Sequence, residues 1–300
     1  MDEKVLPAGT ATERFEEHRP HLRAVAYRML GSISEAEDAL QETWLRYDRT
    51  DTSEVENLGG WLTTVVSRVC LNLLRSREQR REDPLELRIP DPLLAREGGV
   101  VDPEQEVLLA DSVGLALMVV LESLSPAERV AFVLHDLFAV PFEDIAPLIE
   151  KTTAATRQLA SRARRKVQGQ APAPDRDLAR QRVAVDAFFA ATRTGDLDAL
   201  LAVLDPEVVL RSDGDVGRLR GTVVLTGART VAGQAVLYHS LAPYARPALI
   251  NGAAGVVVIG ANGRLVATMA FTVVGGVIVA IDVLSDPERL GALDVSAFRD

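Results

Sequence analysis

Apolar residues recur at helical spacing through the first half of the chain. Over residues 21–30, Leu22, Val25, Ala26, Met29 and Leu30 share one face, and Gly31 ends the run. Ser34 is expected to cap a second helix. Its first turn carries Glu35, Glu37 and Asp38, carboxylates that suit the positive end of a helix dipole. Leu40, Thr43, Trp44 and Tyr47 line the apolar side of that helix. Residues 48–60 are polar and turn-rich and read as a loop. Residues 61–77 form a third helix with Leu62, Val65, Val66, Val69, Leu73 and Leu74 inward.

Residues 82–107 read as a linker, because Pro84, Pro90, Pro92, Pro103 and the Gly98-Gly99 pair prevent a continuous helix. The stretch 87–94 is too apolar for a free tether and is expected to dock. Helical spacing returns over residues 108–168. Ser125-Pro126-Ala127-Glu128 is a capping box there, with proline at the first helical position. Pro141 opens a short helix through Ile145 and Leu148, Lys151-Thr152-Thr153 turns the chain, and residues 153–167 form another helix. Residues 169–177 are a proline-rich hinge. Beyond it the period changes. Helices at 178–194 and 197–204 precede strand-like runs at 208–211, 223–225, 248–250, 256–259, 265–274 and 277–284, with a helix over 230–241 among them. Asn262-Gly263 and Gly275-Gly276 read as two-residue hairpin turns. The pattern predicts an α+β unit with a curved antiparallel sheet.

The 300 residues suffice for two domains at roughly 150 residues each. A formal charge of −10 excludes a uniformly basic nucleic-acid coat but not a local basic element. One cysteine, Cys70, excludes an internal disulfide framework and a multi-cysteine zinc site. It is expected to pack in the core, and Trp44 and Trp61 at the core or rim of the first helices. The N-terminal residues lack a basic-then-apolar signal pattern, and the longest apolar stretch, 252–259, is far too short to span a bilayer. The chain therefore reads as soluble and cytoplasmic, with no membrane partner. It has no Walker loop, no Rossmann glycine fingerprint and no metal-ligand cluster, so no cofactor and no metal are expected.

Charge is unevenly placed. Residues 157–166 carry Arg157, Arg162, Arg164, Arg165 and Lys166 and no acid. Together with the short helix and tight turn before it, this segment reads as a helix-turn-helix. Ala155, Leu159 and Ala163 are expected to face inward, at i, i+4 and i+8. Thr153, Ala154, Thr156, Arg157, Gln158 and Ser161 then fall on exposed faces, where the N-terminal part of a recognition helix meets base edges. Arg157 suits guanine and Gln158 adenine, while Arg162, Arg164, Arg165 and Lys166 suit the phosphate backbone. Arg68, Asn72, Arg75 and Arg77, on the third helix, also suit a nucleic-acid backbone. The second helix is acidic and fits a basic protein partner instead.

Four stretches carry a family likeness: FEEHRPHLRAVAYRMLGSISEAEDALQETWLRY, GGWLTTVVSRVCLNLLRSR, LSPAERVAFVLHDLFAVPFEDIAPLIEKT and ATRQLASRARRKV. In order and spacing they resemble an extracytoplasmic-function sigma factor of bacterial RNA polymerase. The resemblance implies a mostly α two-domain sigma factor followed by an α+β SnoaL-like cone. Region 2 would occupy residues 1–82, the linker 83–107, region 4 residues 108–168, the hinge 169–177 and the cone 178–300. It implies that Asp38, Ala39, Leu40, Gln41 and Glu42 hold the polymerase, that the loop 48–57 and the helix bearing Arg68 melt and read the −10 element, and that the helix 153–166 reads the −35 element. Core RNA polymerase and promoter DNA would be the partners.

A subgroup of that family carries a fused SnoaL-like domain in place of a separate anti-sigma factor. Its linker motif is matched by Pro90-Asp91-Pro92, and two further motifs by the stretches beginning Asp213-Gly214 and Asp286-Pro287. The resemblance implies regulatory contacts within the chain through these residues. Cones of this fold enclose a pocket that is catalytic in some relatives. Asp213, Asp215, Tyr238, His239 and Asp282 are the polar candidates here, although a non-enzymatic role is expected. A ligand-sensing one-component regulator and a SnoaL-like enzyme with a DNA-binding front end are the alternative readings.

Overall fold

The structure, a computed structural model, describes residues 10–80, 88–98, 114–170, 174–213 and 222–298. Its contacts divide the chain into two compact units, Met1–Arg81 with Leu124–Arg164 and Glu82–Ser123 with Arg165–Asp300. The first helices in chain order are α1 (Ala11–Leu30), α2 (Ile33–Asp48), α3 (Leu58–Arg80), α4 (Leu115–Glu122) and α5 (Pro126–Phe132). A π-helical turn at Val133–Leu137 leads into α6 (Phe142–Leu148) and α7 (Thr153–Gln170). All but α4 and the end of α7 belong to the first unit.

α1 begins ten residues before the expected start and runs through Pro20. Two features hold its early turns: a Thr10–Glu13 capping box, and Phe15, which is buried against Trp44 at 5.2 Å and Tyr47 at 6.1 Å. Gly31 ends the helix in the left-handed conformation, φ 66°. The cap of α2 is Ser32, not Ser34, and its side chain makes no capping bond. The capping box at Ser125 and Glu128 forms as expected. α3 packs on α5 and α6. Cys70 is fully buried there, and burial pushes its thiol up to about 12 against the opposing effect of Arg129.

The second unit holds one seven-stranded sheet: β1 (Leu94–Ala95), β2 (Leu204–Asp213), β3 (Val223–Thr226), β4 (Ala245–Ile250), β5 (Ala253–Ile259), β6 (Leu265–Val274) and β7 (Val277–Leu284). The order is β1-β4-β5-β6-β7-β2-β3. The sheet is not wholly antiparallel as expected, because β2 runs parallel to β7. The helical segments between β2 and β4 let the chain return through β4–β7 in sequence order. One face of the sheet packs on α8 (Leu178–Thr194), α9 (Leu197–Val203) and α10 (Ala228–Leu237), with Phe188, Phe189, Leu200, Val231, Phe271 and Ile281 in the core.

Gly275-Gly276 makes a two-residue turn with φ 61° and 83°. Asn262-Gly263 does not. It lies in a longer loop closed by Gly260 N–H to the Arg264 carbonyl (2.9 Å), with Gly263 left-handed at φ 73°. The second tight turn is Asn251-Gly252, φ 49° and 78°, joining β4 to β5. Gly255 in β5 admits no side chain, since a Cβ would stand 2.8 Å from the Met269 carbonyl oxygen.

Candidate functional site

α6, a turn and α7 build the helix-turn-helix. Glu150 takes a left-handed φ of 56°, and the Thr152 hydroxyl accepts from the Ala155 N–H at 3.2 Å. The buried face of α7 is Thr156, Leu159, Ala160 and Ala163. Thr156 was expected outside and lies fully inside. Its hydroxyl donates to the Thr152 carbonyl at 3.0 Å, so a short polar side chain satisfies itself on the helix and packs as a small apolar one would. Ala154, Arg157, Gln158, Ser161, Arg162 and Arg165 are exposed, with Thr153, Arg164 and Lys166 half-buried.

The cations of α7 meet acids brought from neighbouring elements. Arg157 pairs with Glu143 at 3.0 Å and lies over the Phe142 ring at 5.7 Å. Arg162 pairs with Glu128 at 3.0 Å, and Arg164 with Asp136 at 2.6 Å. Lys166 donates to the Ser123 carbonyl at 2.5 Å. Arg165 makes no ion pair among the described residues. Partial burial raises the Glu128 carboxyl, but the bonds from Arg162 and Ser125 outweigh it and hold the group below its ordinary value.

On α3, Arg68 and Asn72 are exposed, and Arg75 reaches Glu150 at 3.3 Å. Arg77 was expected to face nucleic acid. It instead turns onto its own bundle, pairing with Glu35 and donating to the Leu30 carbonyl at 2.9 Å. There it satisfies a C-terminal carbonyl of α1. On α2, Ala39 and Leu40, which the resemblance groups with the polymerase-holding residues, are buried: Leu40 lies on the apolar side as expected, and both continue the inward stripe of Ala36 and Thr43. Asp38 and Gln41 are exposed, and Glu42 is tied to Arg46 at 2.8 Å. A groove between α1 and α2 is lined by Phe15, Arg19, Glu37, Asp38, Gln41 and Trp44. Its Glu37 is held by Arg19 at 3.0 Å and Arg23 at 2.6 Å.

The three linker and cone motifs converge in the second unit. Pro90, Asp91 and Pro92 are buried, and Leu93–Ala95 lies along the edge of the sheet. Asp286 caps the short helix α11 (Pro287–Gly291) by accepting from the Glu288 and Arg289 N–H groups, both at 2.9 Å, with Pro287 at the first position. That cap aims Arg289 at the linker. Its guanidinium binds Asp91 (3.0 Å from Nε), the Ile89 carbonyl (2.5 Å) and Asp213, while the Ile89 N–H also donates to Asp213 at 3.3 Å. Burial raises the Asp213 carboxyl despite Arg289. Gly214 and Asp215 lie outside the described residues.

Three anchors escaped sequence reasoning. The Asn251 carboxamide accepts from the Leu93 N–H at 3.0 Å. Arg182 binds Glu97 (2.7 Å from Nε) and the carbonyls of Gly255 (3.0 Å) and Ala248 (2.9 Å). Arg289 itself was only part of a motif. Each joins positions far apart in sequence, and no local spacing marks such a pair.

The catalytic candidates are dispersed. Asp282 is buried and pairs with Arg211 at 3.0 Å, its carboxyl raised by burial. Asp213 faces Arg289, and His239 is exposed. Of the described four, only Tyr238 lines the cone's cavity. Among the described residues no acid–histidine pair lines that cavity. No metal-binding group of His, Cys, Asp or Glu occurs among the described residues, and no described helix is long and apolar enough to cross a membrane.

The sigma-70 region 2 model matches residues 14–81, and the sigma-70 region 4 model matches residues 114–167. Over 281 residues the chain is 38% identical to the probable ECF RNA polymerase sigma factor SigI of Mycobacterium tuberculosis, covering 92% of this chain and 93% of that one. Over 204 residues it is 46% identical to the ECF RNA polymerase sigma factor SigJ of the same species, covering 67% of this chain and 64% of that one. The crystal structure of M. tuberculosis SigJ matches with a TM-score of 0.76 at 34% identity, over 93% of this chain and 97% of that one. The chain therefore belongs to the extracytoplasmic-function family of RNA polymerase sigma factors, with regions 2 and 4 followed by a sheet-rich domain.

Proposed function

We propose that the chain is a cytoplasmic, non-enzymatic promoter-specificity subunit whose fused cone governs it through the linker. The exposed edge of α7 reads the −35 element. Arg157 and Gln158 meet base edges, and Arg162, Arg164, Arg165 and Lys166 meet phosphates. Arg68, Asn72 and Arg75 on α3, with the loop before it, act at the −10 element, and Asp38, Gln41 and Glu42 meet core polymerase. The linker joins the two DNA-reading regions, so the cone that holds residues 89–97 constrains how they are presented. This contact takes the place of a separate anti-sigma factor.

The observation that carries the reading is a cation-rich helix edge on a protein of net charge −10, presented by a helix-turn-helix. Run-off transcription with purified core polymerase tests it. The full chain should yield promoter-dependent transcripts, and Arg289→Ala should change their amount. No transcript above core polymerase alone would overturn the promoter reading. Unchanged output from Arg289→Ala would overturn control through the linker.

A further inference from the structure

We propose that Phe142, braced by His135, is the positioning residue for Arg157, holding its guanidinium so that the donors on its edge meet a guanine in the −35 element. This rests on the reading of Arg157 as a base contact and adds the group that aims it. The three side chains form a stack within the helix-turn-helix. The rings of His135 and Phe142 lie nearly face to face, with centroids 3.7 Å apart and planes 26° from parallel. The Arg157 guanidinium stands over the Phe142 ring at 5.7 Å. Phe142 is half-buried, so part of its ring stays open on this surface. The far end of the stack is fixed by the backbone. His135 Nδ1 lies 3.0 Å from the Val140 carbonyl, which can only accept, so this nitrogen carries the proton and the ring is held. The turn that His135 closes is itself tied. The Val140 N–H donates to the Leu134 carbonyl at 2.9 Å, and the Ala139 N–H to the His135 carbonyl at 3.1 Å. Pro141 then caps α6, whose first residue is Phe142.

A guanidinium carries its donors on its edge and none on its faces. Reading guanine O6 and N7 takes two of those edge donors. A ring against the face leaves them available, whereas Glu143, which holds Arg157 at 3.0 Å, occupies one of them. The acid must therefore give way to a base, and the ring need not. A long exposed side chain loses rotamer freedom when DNA fixes it, and that loss weakens binding. The stack restricts that freedom beforehand, through a cation–π contact on a ring whose own place is set by packing and a hydrogen bond behind it.

Run-off transcription by the full chain with core polymerase, on templates carrying each single base change in the −35 element, provides the test. Discrimination is the ratio of output from the preferred template to output from a changed one, taken within one variant, so a smaller folded fraction cancels. Arg157→Ala should lower discrimination at one base pair. Phe142→Leu should lower it at that same pair about three- to five-fold, the size of one exposed cation–π contact, and leave the other positions within about 1.5-fold. Phe142→Tyr, which keeps the ring, should stay within about 1.5-fold of wild type throughout. His135→Ala, which leaves Phe142 without its brace, should lower discrimination at the same pair alone. The positioning role would be overturned, with Arg157 still a base contact, by unchanged discrimination in Phe142→Leu, by equal losses from it at every position, by a loss in Phe142→Tyr as large as in Phe142→Leu, or by a His135→Ala response that misses that pair. Equal losses from Arg157→Ala on all templates would instead overturn the base reading, and the positioning role with it.

Discussion

Two ion-pair networks in this chain differ in how much water they see. On the recognition helix, the side chains of Arg157, Arg162 and Arg164 are 58%, 52% and 41% exposed. At the linker, Arg289, Asp91 and Asp213 are 18%, 11% and 18% exposed. An exposed pair contributes roughly 0–1 kcal/mol, so a phosphate displaces its acid with little loss. A buried pair is costly to split, because the remaining partner keeps its charge without water. The first network can exchange its partners at little cost, which is what the proposed contact with DNA requires. The second is built to persist.

The largest expected effect lies in the buried network. Arg289→Ala leaves Asp91 and Asp213 without their shared cation. Breaking such a pair costs about 3–5 kcal/mol. The linker should therefore lift from the sheet more often, and the Ile89 and Leu93 amides, bonded to Asp213 and Asn251, should exchange with solvent a hundredfold faster or more. Amide exchange read by mass spectrometry checks this. Protection at those amides equal to wild type would erase the distinction between the two networks.

The exposed network should behave oppositely. Arg157→Ala should weaken promoter use by roughly 1–3 kcal/mol if the side chain reads a base, and lower fold stability by less than about 1 kcal/mol. Transcription from matched and mismatched −35 templates separates base reading from phosphate contact, since a phosphate contact loses equally on both. Thr156→Val on the same helix should leave promoter preference unchanged, because that side chain faces the interior. A large unfolding penalty from Arg157→Ala, with promoter use intact, would make its pair with Glu143 structural.

Exposure of this kind is only partly legible in a sequence. The helix over residues 178–194 and the strands over 265–274 and 277–284 agree with their expected bounds, because their apolar period is regular and glycines or caps close them. The recognition helix was legible as an element, yet its inward face was misjudged at Thr156. A threonine that bonds its own helix reads as polar and packs as apolar. Ala39 was misjudged in the same direction, grouped with the acids beside it although the helical period turns it inward with Leu40, whose place on the apolar side was legible. Asn251-Gly252 escaped notice beside Asn262-Gly263, although both are Asn-Gly pairs. The strands flanking the former run directly into the turn, whereas Gly260 and Ala261 lengthen the latter. The parallel β2–β7 pair and the anchors Arg182, Glu97 and Asn251 depend on contacts made only when distant segments meet.

The smallest effect is a difference in acid titration. Burial lifts Asp213 above its ordinary 3.8, whereas hydrogen bonds from Arg162 and Ser125 hold Glu128 below its ordinary 4.5. The signs follow from linkage. Between 3.8 and its raised value, the native Asp213 binds more proton than the unfolded chain does. Its contribution to stability is therefore full below 3.8 and lost as pH rises through the folded value. Glu128 contributes above 4.5 and loses that contribution as pH falls through its depressed folded value. On acidification the linker network thus takes up a proton at Asp213 without a stability loss from that group, while the recognition-helix network loses support at Glu128. Carboxyl-carbon NMR titration of the folded chain measures both midpoints. An Asp213 midpoint at or below 3.8, or a Glu128 midpoint at or above 4.5, would show that water reaches the two networks alike and that burial does not set them apart.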